Sequence, residues 1–428
     1  MVMAAKSIVC FSVNDWSDIP SSKFHIMRHL AKDHRVLFIE TLGVRHPQLS
    51  SKDAKRALMK LRKSFSGVRK VESNIYVWSP LAIPYHGFPF INWINSRIVA
   101  TMVKRLMAKL EMTAPIIWSY LPNAIDIIER LPASRTVYHC IDDYAEFTGV
   151  PKAAFEQMEK RMLRKADVTV VSSKVLYERK KLHANRITYI PHGINLTEFR
   201  ACLSRSVNLS DIDDIKKPIA GFVGRVADWV DLSLIARCAR ELPDWEFVIV
   251  GPSIVPLDQY QAISNIRFLG RKEYQQIPHY IERFDVCLMP FVNSRLVESV
   301  NPLKMYEYLA IGRPVVTVPM PEVTDFAQVL TVAEPSQFSR AIVTAFEADS
   351  EALRAKRIEC VSKRSWGDIA EAILALIGTD ARIASSTESR GQRRADTCID
   401  LRRLPELGMQ NAFDSGLRAQ SSRRTEGV

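Results

Sequence analysis

Lys304 and Glu307 are the only charges in the helical part of the stretch Asn301-Pro302-Leu303-Lys304-Met305-Tyr306-Glu307-Tyr308-Leu309-Ala310-Ile311-Gly312-Arg313-Pro314-Val315-Val316. Pro302 opens the stretch, where a helix's first turn needs no backbone donor. Leu303, Met305, Tyr306, Leu309 and Ala310 follow with helical apolar spacing. Gly312 supplies a C-cap, Pro314 blocks continuation, and Val315–Val318 reads as a buried strand. Charges on such a helix need partners. A helix N-terminus with a Lys in its first turn suits a phosphate, and a Glu one turn on suits the paired hydroxyls of a ribose. Together they suit a nucleoside diphosphate. The plainer alternative is a solvated pair three residues apart on a helix surface.

The elements around this stretch must hold it in place. In the first half, Ser7–Val13, Arg35–Glu40, Ile75–Trp78, Ile116–Ser119, Thr136–Cys140, Val168–Ser172 and Ile187–Ile190 are strand-like. Helical patterns at Ser22–Lys32, Ile94–Leu110, Ala124–Arg130 and Lys152–Ala166 alternate with them. A polar break over 204–217 reads as a linker. The pattern then restarts with strands at Ile219–Val223, Glu246–Val250, Ile266–Leu269 and Asp285–Pro290, and a helix at Asp231–Glu241. Such alternation predicts an α/β fold of two doubly wound domains, and sites in these sheets lie beyond the strand C-termini. The expected organisation is a first domain over 1–203, a second over 218–365, a crossing helix over 366–379 and a mostly disordered, basic tail over 380–428.

With 428 residues, 47% apolar and 25% charged, the chain can bury two full cores and has no apolar run near the length of a membrane span. Its seven scattered Cys form no Cys-x-x-Cys pair and read as reduced, buried apolar residues of a cytoplasmic protein. No zinc-ligand spacing is present, so no metal is expected. The formal charge of +12 suits an acidic surface or substrate. Arg45, Lys52, Lys55, Arg56, Lys60, Arg62, Lys63, Arg69 and Lys70 stand against Asp53 alone, interleaved with Leu58, Met59, Leu61 and Phe65. An aromatic, Pro-rich loop over 80–91 and Trp93 follows, and then Arg97, Lys104, Arg105 and Lys109. These segments suit peripheral contact with the inner face of a membrane, the alternative being ordinary solvated charges over a core. No nucleic-acid-binding module is recognisable, so nucleic acid is not an expected partner.

The run from Asn301 to Val316, the strand-end Gly224-Arg225, the Val250-Gly251-Pro252 turn and Pro191-His192-Gly193-Ile194-Asn195 together resemble GT-B glycosyltransferases, in particular bacterial enzymes of exopolysaccharide and teichuronic-acid assembly. Val137-Tyr138-His139-Cys140-Ile141-Asp142-Asp143-Tyr144 and Leu242-Pro243-Asp244-Trp245-Glu246-Phe247 are similar to that subgroup. The resemblance covers roughly residues 5–377. It implies two Rossmann-like domains facing across a cleft, the second binding a nucleotide-sugar donor and the first an acceptor, with the donor as co-substrate and no cofactor.

On that resemblance Glu307 matches the ribose-binding Glu. Pro302, Leu303 and Lys304 lie where backbone amides cradle a diphosphate, with Lys304 and Asn301 as side-chain donors. Gly224 and Gly251 belong with the donor site, and Gly224 leaves room for the phosphates. Arg225 neutralises the leaving group, or else forms a surface ion pair. Asp228 and Asp231 are weaker candidates that suit helix capping. Many retaining members carry a sugar-contacting Glu eight residues before the ribose Glu; here Ser299 holds that position, beside Glu298. In the first domain Asp142 suits the general base of an inverting transfer, or else an N-cap. Asp15, Trp16, His25 and Asp143 are expected to contact the acceptor, Arg28 is a further candidate, and His192 can face donor or acceptor. The catalytic set is then Asp142, Arg225 and Lys304, acting on a lipid-linked saccharide. A non-catalytic scaffold with a degenerate donor site is the alternative, because of Ser299. A dehydrogenase is disfavoured, since no Gly-x-Gly-x-x-Gly follows a strand.

Overall fold

The computed structural model describes residues 7–16, 21–42, 67–80, 89–327 and 330–378. The basic run over 43–66, the aromatic loop over 81–88 and the tail from 379 lie outside them.

Short, almost wholly apolar runs form the strands, because a parallel strand covered on both faces has no polar side. The first sheet contains β1 (Ser7–Phe11), β2 (Arg35–Ile39), β3 (Arg69–Glu72), β4 (Ile75–Trp78), β5 (Ile116–Ser119), β6 (Arg135–Cys140), β7 (Val168–Val171) and β8 (Ile187–Tyr189). Their order is β3-β4-β2-β1-β5-β6-β7-β8, parallel throughout except for the antiparallel edge pair β3/β4. The second sheet contains β9 (Ile219–Val223), β10 (Glu246–Val250), β11 (Ile266–Gly270), β12 (Val286–Met289), β13 (Val315–Thr317) and β14 (Thr331–Val332). Its order is β11-β10-β9-β12-β13-β14, all parallel. Each sheet reverses its winding direction beside its first strand, at β1/β5 and at β9/β12. The crevices at those strand ends are where such folds hold ligands.

The first sheet carries a core on each face, and a third core fills the second domain. The polar run read as a linker is packed: Ile212 and Ile215 are buried in the second domain's core, and Asp211 and Asp214 bond Tyr280 and Arg267. The helix Trp366–Gly378 returns to the first domain, burying Trp366, Ile369, Ile373 and Ile377 with the helix Ser22–Leu30. The helix expected from Ile94 begins earlier, at Pro89. β3, β14 and the helices Phe338–Glu347 and Glu351–Ser362 were not anticipated from the sequence.

Where the chain crosses between domains, its two crossings touch. The Ile194 N–H donates to the Arg364 carbonyl at 2.7 Å, and a Cβ on Gly193 would stand 2.2 Å from that oxygen. Backbone cannot yield as a flexible side chain can, so Gly193→Ala should separate the crossings and lower the melting temperature by several degrees, on the scale of overpacking costs of about 1–3 kcal/mol. Gly378→Ala, with no atom within 4 Å of its Cβ, should leave the melting temperature nearly unchanged. Differential scanning calorimetry of the two variants checks this contrast.

Candidate active site

The helix Leu303–Ile311 lies where the sequence places it, and its two ends differ electrostatically. Its C-terminus is closed by Gly312 in the left-handed conformation, at φ 78°. Arg200 donates to the Ala310 carbonyl and Arg357 to the Gly312 carbonyl, each at 3.1 Å, so cations meet the negative end of the dipole. At the N-terminus Pro302 is the cap residue and contributes no side-chain bond. The Met305 N–H turns back to the Pro302 carbonyl at 3.0 Å, and the Leu303 and Lys304 amides before it have no side-chain cap, as an anion site requires. The helix is fixed against the sheet by Tyr308, whose hydroxyl accepts the Val223 N–H at 2.8 Å, one residue before Gly224.

Gly224 and Gly251 meet directly in front of this helix. A Cβ on Gly251, whose φ is 145°, would lie 1.9 Å from the Gly224 carbonyl oxygen, so only glycine permits the approach. A Cβ on Gly224 would lie 3.5 Å from Lys304 Cε. The ends of β9 and β10 thus form a wall of bare backbone beside a cation and a helix N-terminus. Arg225, next along, is exposed and has no ion-pair partner among the described residues, so the surface-pair alternative does not hold.

Glu307 is only 2% exposed, which excludes a solvated surface charge. Its Oε2 accepts from Lys304 Nζ at 2.9 Å, while Oε1 has no partner among the described residues. A buried carboxylate with one oxygen left over is equipped to accept from a ligand hydroxyl. Burial first, and then the Glu307 charge, push the Tyr274 phenol up, which sets Tyr274 beside the same carboxylate.

Other expected donor residues are engaged elsewhere. The Asn301 side chain does not face a phosphate: Oδ1 accepts the His192 N–H at 3.0 Å, and Nδ2 donates to Glu322 at 2.7 Å. Ser299 is fully buried, its hydroxyl donating to the Leu296 carbonyl at 2.8 Å within its own turn, so it cannot reach a sugar. Glu298, about half exposed, accepts from Arg179 at 3.3 Å. Leu303 packs against the first domain's core. Asp231 caps the helix Leu232–Glu241 through a 2.8 Å bond from the Leu234 N–H, and Asp228 bonds Thr148 across the cleft.

In the first domain Asp142 follows β6 at the cleft and retains partial exposure. It caps no helix, since the short helix Tyr144–Glu146 begins after Asp143 without a side-chain cap. Burial pushes its carboxyl up to about 6; Lys23 opposes that shift and Asp143 adds to it. Asp143 itself is buried between Arg179 at 3.0 Å and Lys180 at 3.4 Å, and so holds structure in place of an acceptor. Trp16 is likewise structural: its ring packs 5.0 Å from Phe24 and 4.9 Å from Phe38, and its N–H bonds Glu40. His25 stacks on Trp366 at 5.7 Å and faces Tyr274 at 5.8 Å, and burial lowers its pKa to about 4, so it is a neutral ring between domains. Arg28 pairs with Glu72 at 2.7 Å. His192 is buried near Trp366, and burial lowers its pKa to about 3. Asp15, in the turn after β1, is half-buried.

Lys23, Tyr274, Arg179 and Glu322 were missed from sequence. Lys23 had a signal, since it shares a helix face with the buried Met27 and Leu30. Glu322 had none: it is defined by partners far away in the chain, Lys174 N–H at 2.7 Å and Tyr189 Oη at 2.9 Å.

A family model described as Glycosyl transferases group 1 matches residues 217–348, the segment that carries Gly224, Gly251, Lys304 and Glu307. The chain is 27% identical over 221 residues to the putative teichuronic acid biosynthesis glycosyltransferase TuaH of Bacillus subtilis (strain 168). That match spans 48% of this chain and about half, 55%, of the relative. An E. coli structure, titled as trehalose-6-phosphate bound with UDP-2-fluoro glucose, superposes with a TM-score of 0.61 at 13% identity, over 87% of this chain and 99% of that one. Sucrose-phosphate synthase from Thermosynechococcus elongatus superposes with a TM-score of 0.60 at 16% identity, over 89% of this chain and 100% of that one. At such identities the likeness is one of fold. The chain has the two-domain GT-B fold, and its residues 217–348 are similar to the group 1 glycosyltransferase domain.

Proposed function

We propose that this protein transfers a glycosyl group from a nucleoside-diphosphate sugar to a hydroxyl of a lipid-linked saccharide, in assembly of a cell-surface or extracellular polysaccharide. One observation carries the donor half: the bare backbone of Gly224 and Gly251 meets an uncapped helix N-terminus and Lys304, with the free Oε1 of buried Glu307 one turn on. The E. coli neighbour titled with a UDP-sugar and the TuaH relative named for teichuronic acid support the choice of substrates.

In the proposed reaction the acceptor oxygen forms a bond to the anomeric carbon as the bond to the β-phosphate breaks. Lys304, Arg225 and the first-turn amides stabilise charge growing on the departing diphosphate. Asp142 takes the acceptor's proton. A base with a pKa near 6 is ionised at neutral pH and better matched to a hydroxyl than an ordinary carboxylate. Glu307 accepts from the ribose. With Ser299 in place of the acid common in retaining relatives and its hydroxyl bonded within its own turn, the transferred sugar is held by other groups.

Glu307→Gln should weaken binding of the best nucleoside diphosphate by roughly ten- to a hundredfold, the effect of losing a charged hydrogen bond of about 1.5–3 kcal/mol. Isothermal titration calorimetry across UDP, GDP and ADP identifies the base and measures the change; undiminished affinity removes Glu307 from the donor site. Asp142→Asn should reduce transfer by about a hundredfold or more and leave nucleotide affinity intact. In the unaltered enzyme kcat/KM should fall as pH drops through about 6, because protonation removes the base. An acid limb near 4, or full transfer by the variant, assigns the proton to another group.

A further inference from the structure

The helix Pro89–Lys109 presents a surface that neither core nor cleft accounts for. Its inner face is conventional: Val99, Ala100, Val103 and Met107 are buried against the first sheet. Its outer face is not. Phe90 is 70% exposed, Trp93 49% and Ile98 55%, whereas the other exposed large apolar side chains among the described residues, Leu182, Ile254, Val332 and Phe346, are scattered singly along the chain. Phe90 and Trp93 stack at 6.1 Å, and the Arg97 guanidinium lies 4.3 Å from the Trp93 ring centre. Arg97, Lys104 and Arg105 continue this exposed face and Lys109 ends it, and the helix contains no acidic residue. None of the four cations has an ion-pair partner among the described residues.

Burying aromatics rewards contact with an apolar phase, while uncompensated cations reward contact with anions, and an anionic bilayer surface offers both in one plane. Nucleic acid would meet the charge but not Phe90 and Ile98. The 21 residues make a rod about 30 Å long. Its last turn joins the amino end of β5 through the short loop 110–115, so the aromatic turn points toward the carboxyl ends of the strands, the end at which Asp142 lies.

We infer that the outer face of Pro89–Lys109 docks on an anionic lipid surface, with Phe90 and Trp93 inserted among the headgroups and Arg97, Lys104, Arg105 and Lys109 over the phosphates. Docked so, the helix brings the cleft mouth to the membrane. That this delivers a lipid-linked acceptor rests on the transferase proposal, whereas the docking itself does not.

The test is co-sedimentation of the full chain with phosphatidylglycerol-containing and with pure phosphatidylcholine vesicles. The chain should bind the first and not the second. Phe90→Ser with Trp93→Ser should weaken binding at least tenfold, and each of Arg97→Gln, Lys104→Gln and Arg105→Gln should weaken it roughly fivefold. Because all these side chains are exposed, the variants should keep the parent melting temperature and nucleotide affinity, which separates failure of docking from failure of the donor site. Unchanged vesicle binding by the aromatic double variant, equal binding to neutral vesicles, or displacement from vesicles by an oligonucleotide at equal charge concentration overturns the inference.

Discussion

A buried amide and a buried carboxylate join the two halves of the molecule. Asn301 Oδ1 takes the His192 N–H, its Nδ2 reaches Glu322, and Glu322 also accepts from the Lys174 N–H and the Tyr189 hydroxyl. Both residues are nearly inaccessible. A charge in such a place must have its bonds, and here every donor comes either from the first domain or from the residue that opens the donor helix. The start of Leu303–Ile311 is thereby held to the first domain, while Tyr308 holds the same helix to the end of β9. A helix anchored on both sides keeps its N-terminus, Lys304 and Glu307 in one place relative to Asp142.

The electrostatic layout follows from that placement. Cations stand at the helix C-terminus and are bonded there, while the N-terminus is left uncapped. Arg225 and Lys304 add positive charge at the mouth, and Glu307 supplies the one acid on the helix. Across the cleft, burial holds Asp142 partly neutral near pH 6, and Lys23 keeps it from rising further. Histidines 25 and 192, the first half-buried and the second buried, and both held uncharged, pack against Trp366 where the chain crosses back. They are parts of the crossing, and this explains why a histidine chosen for its chemistry proved structural.

What the sequence revealed was local. Pro302, the apolar spacing from Leu303 to Ala310 and Gly312 mark a helix without outside information, and apolar runs between turn residues mark most strands. Gly224 and Gly251 were legible through the family resemblance, Gly224 also because a side chain there would block a phosphate; their close approach to each other was not. β3 escaped because Arg-Lys-Val-Glu at an exposed sheet edge shows no apolar alternation. The helix Glu351–Ser362 escaped because it buries little beyond Val361 and Arg357, the latter paired with Asp349 at 2.6 Å. Asn301, Ser299 and Asp143 have suitable chemistry and suitable positions for ligand contact. The Ser299 hydroxyl is taken up by Leu296 in its own turn, while the partners of Asn301 and Asp143, Glu322 and Arg179, come from distant parts of the chain that no spacing rule announces.

The central claim is that the glycine wall and the helix N-terminus form a diphosphate cradle beside a ribose-binding carboxylate. Calorimetric titration with the nucleoside, its monophosphate and its diphosphate, for whichever base binds best, addresses that claim most directly. The account predicts affinity rising steeply with each phosphate and falling with added salt, as charge-assisted bonds to Lys304, Arg225 and the first-turn amides are completed. Equal affinity for nucleoside and diphosphate, or no binding by any of the three, would contradict it.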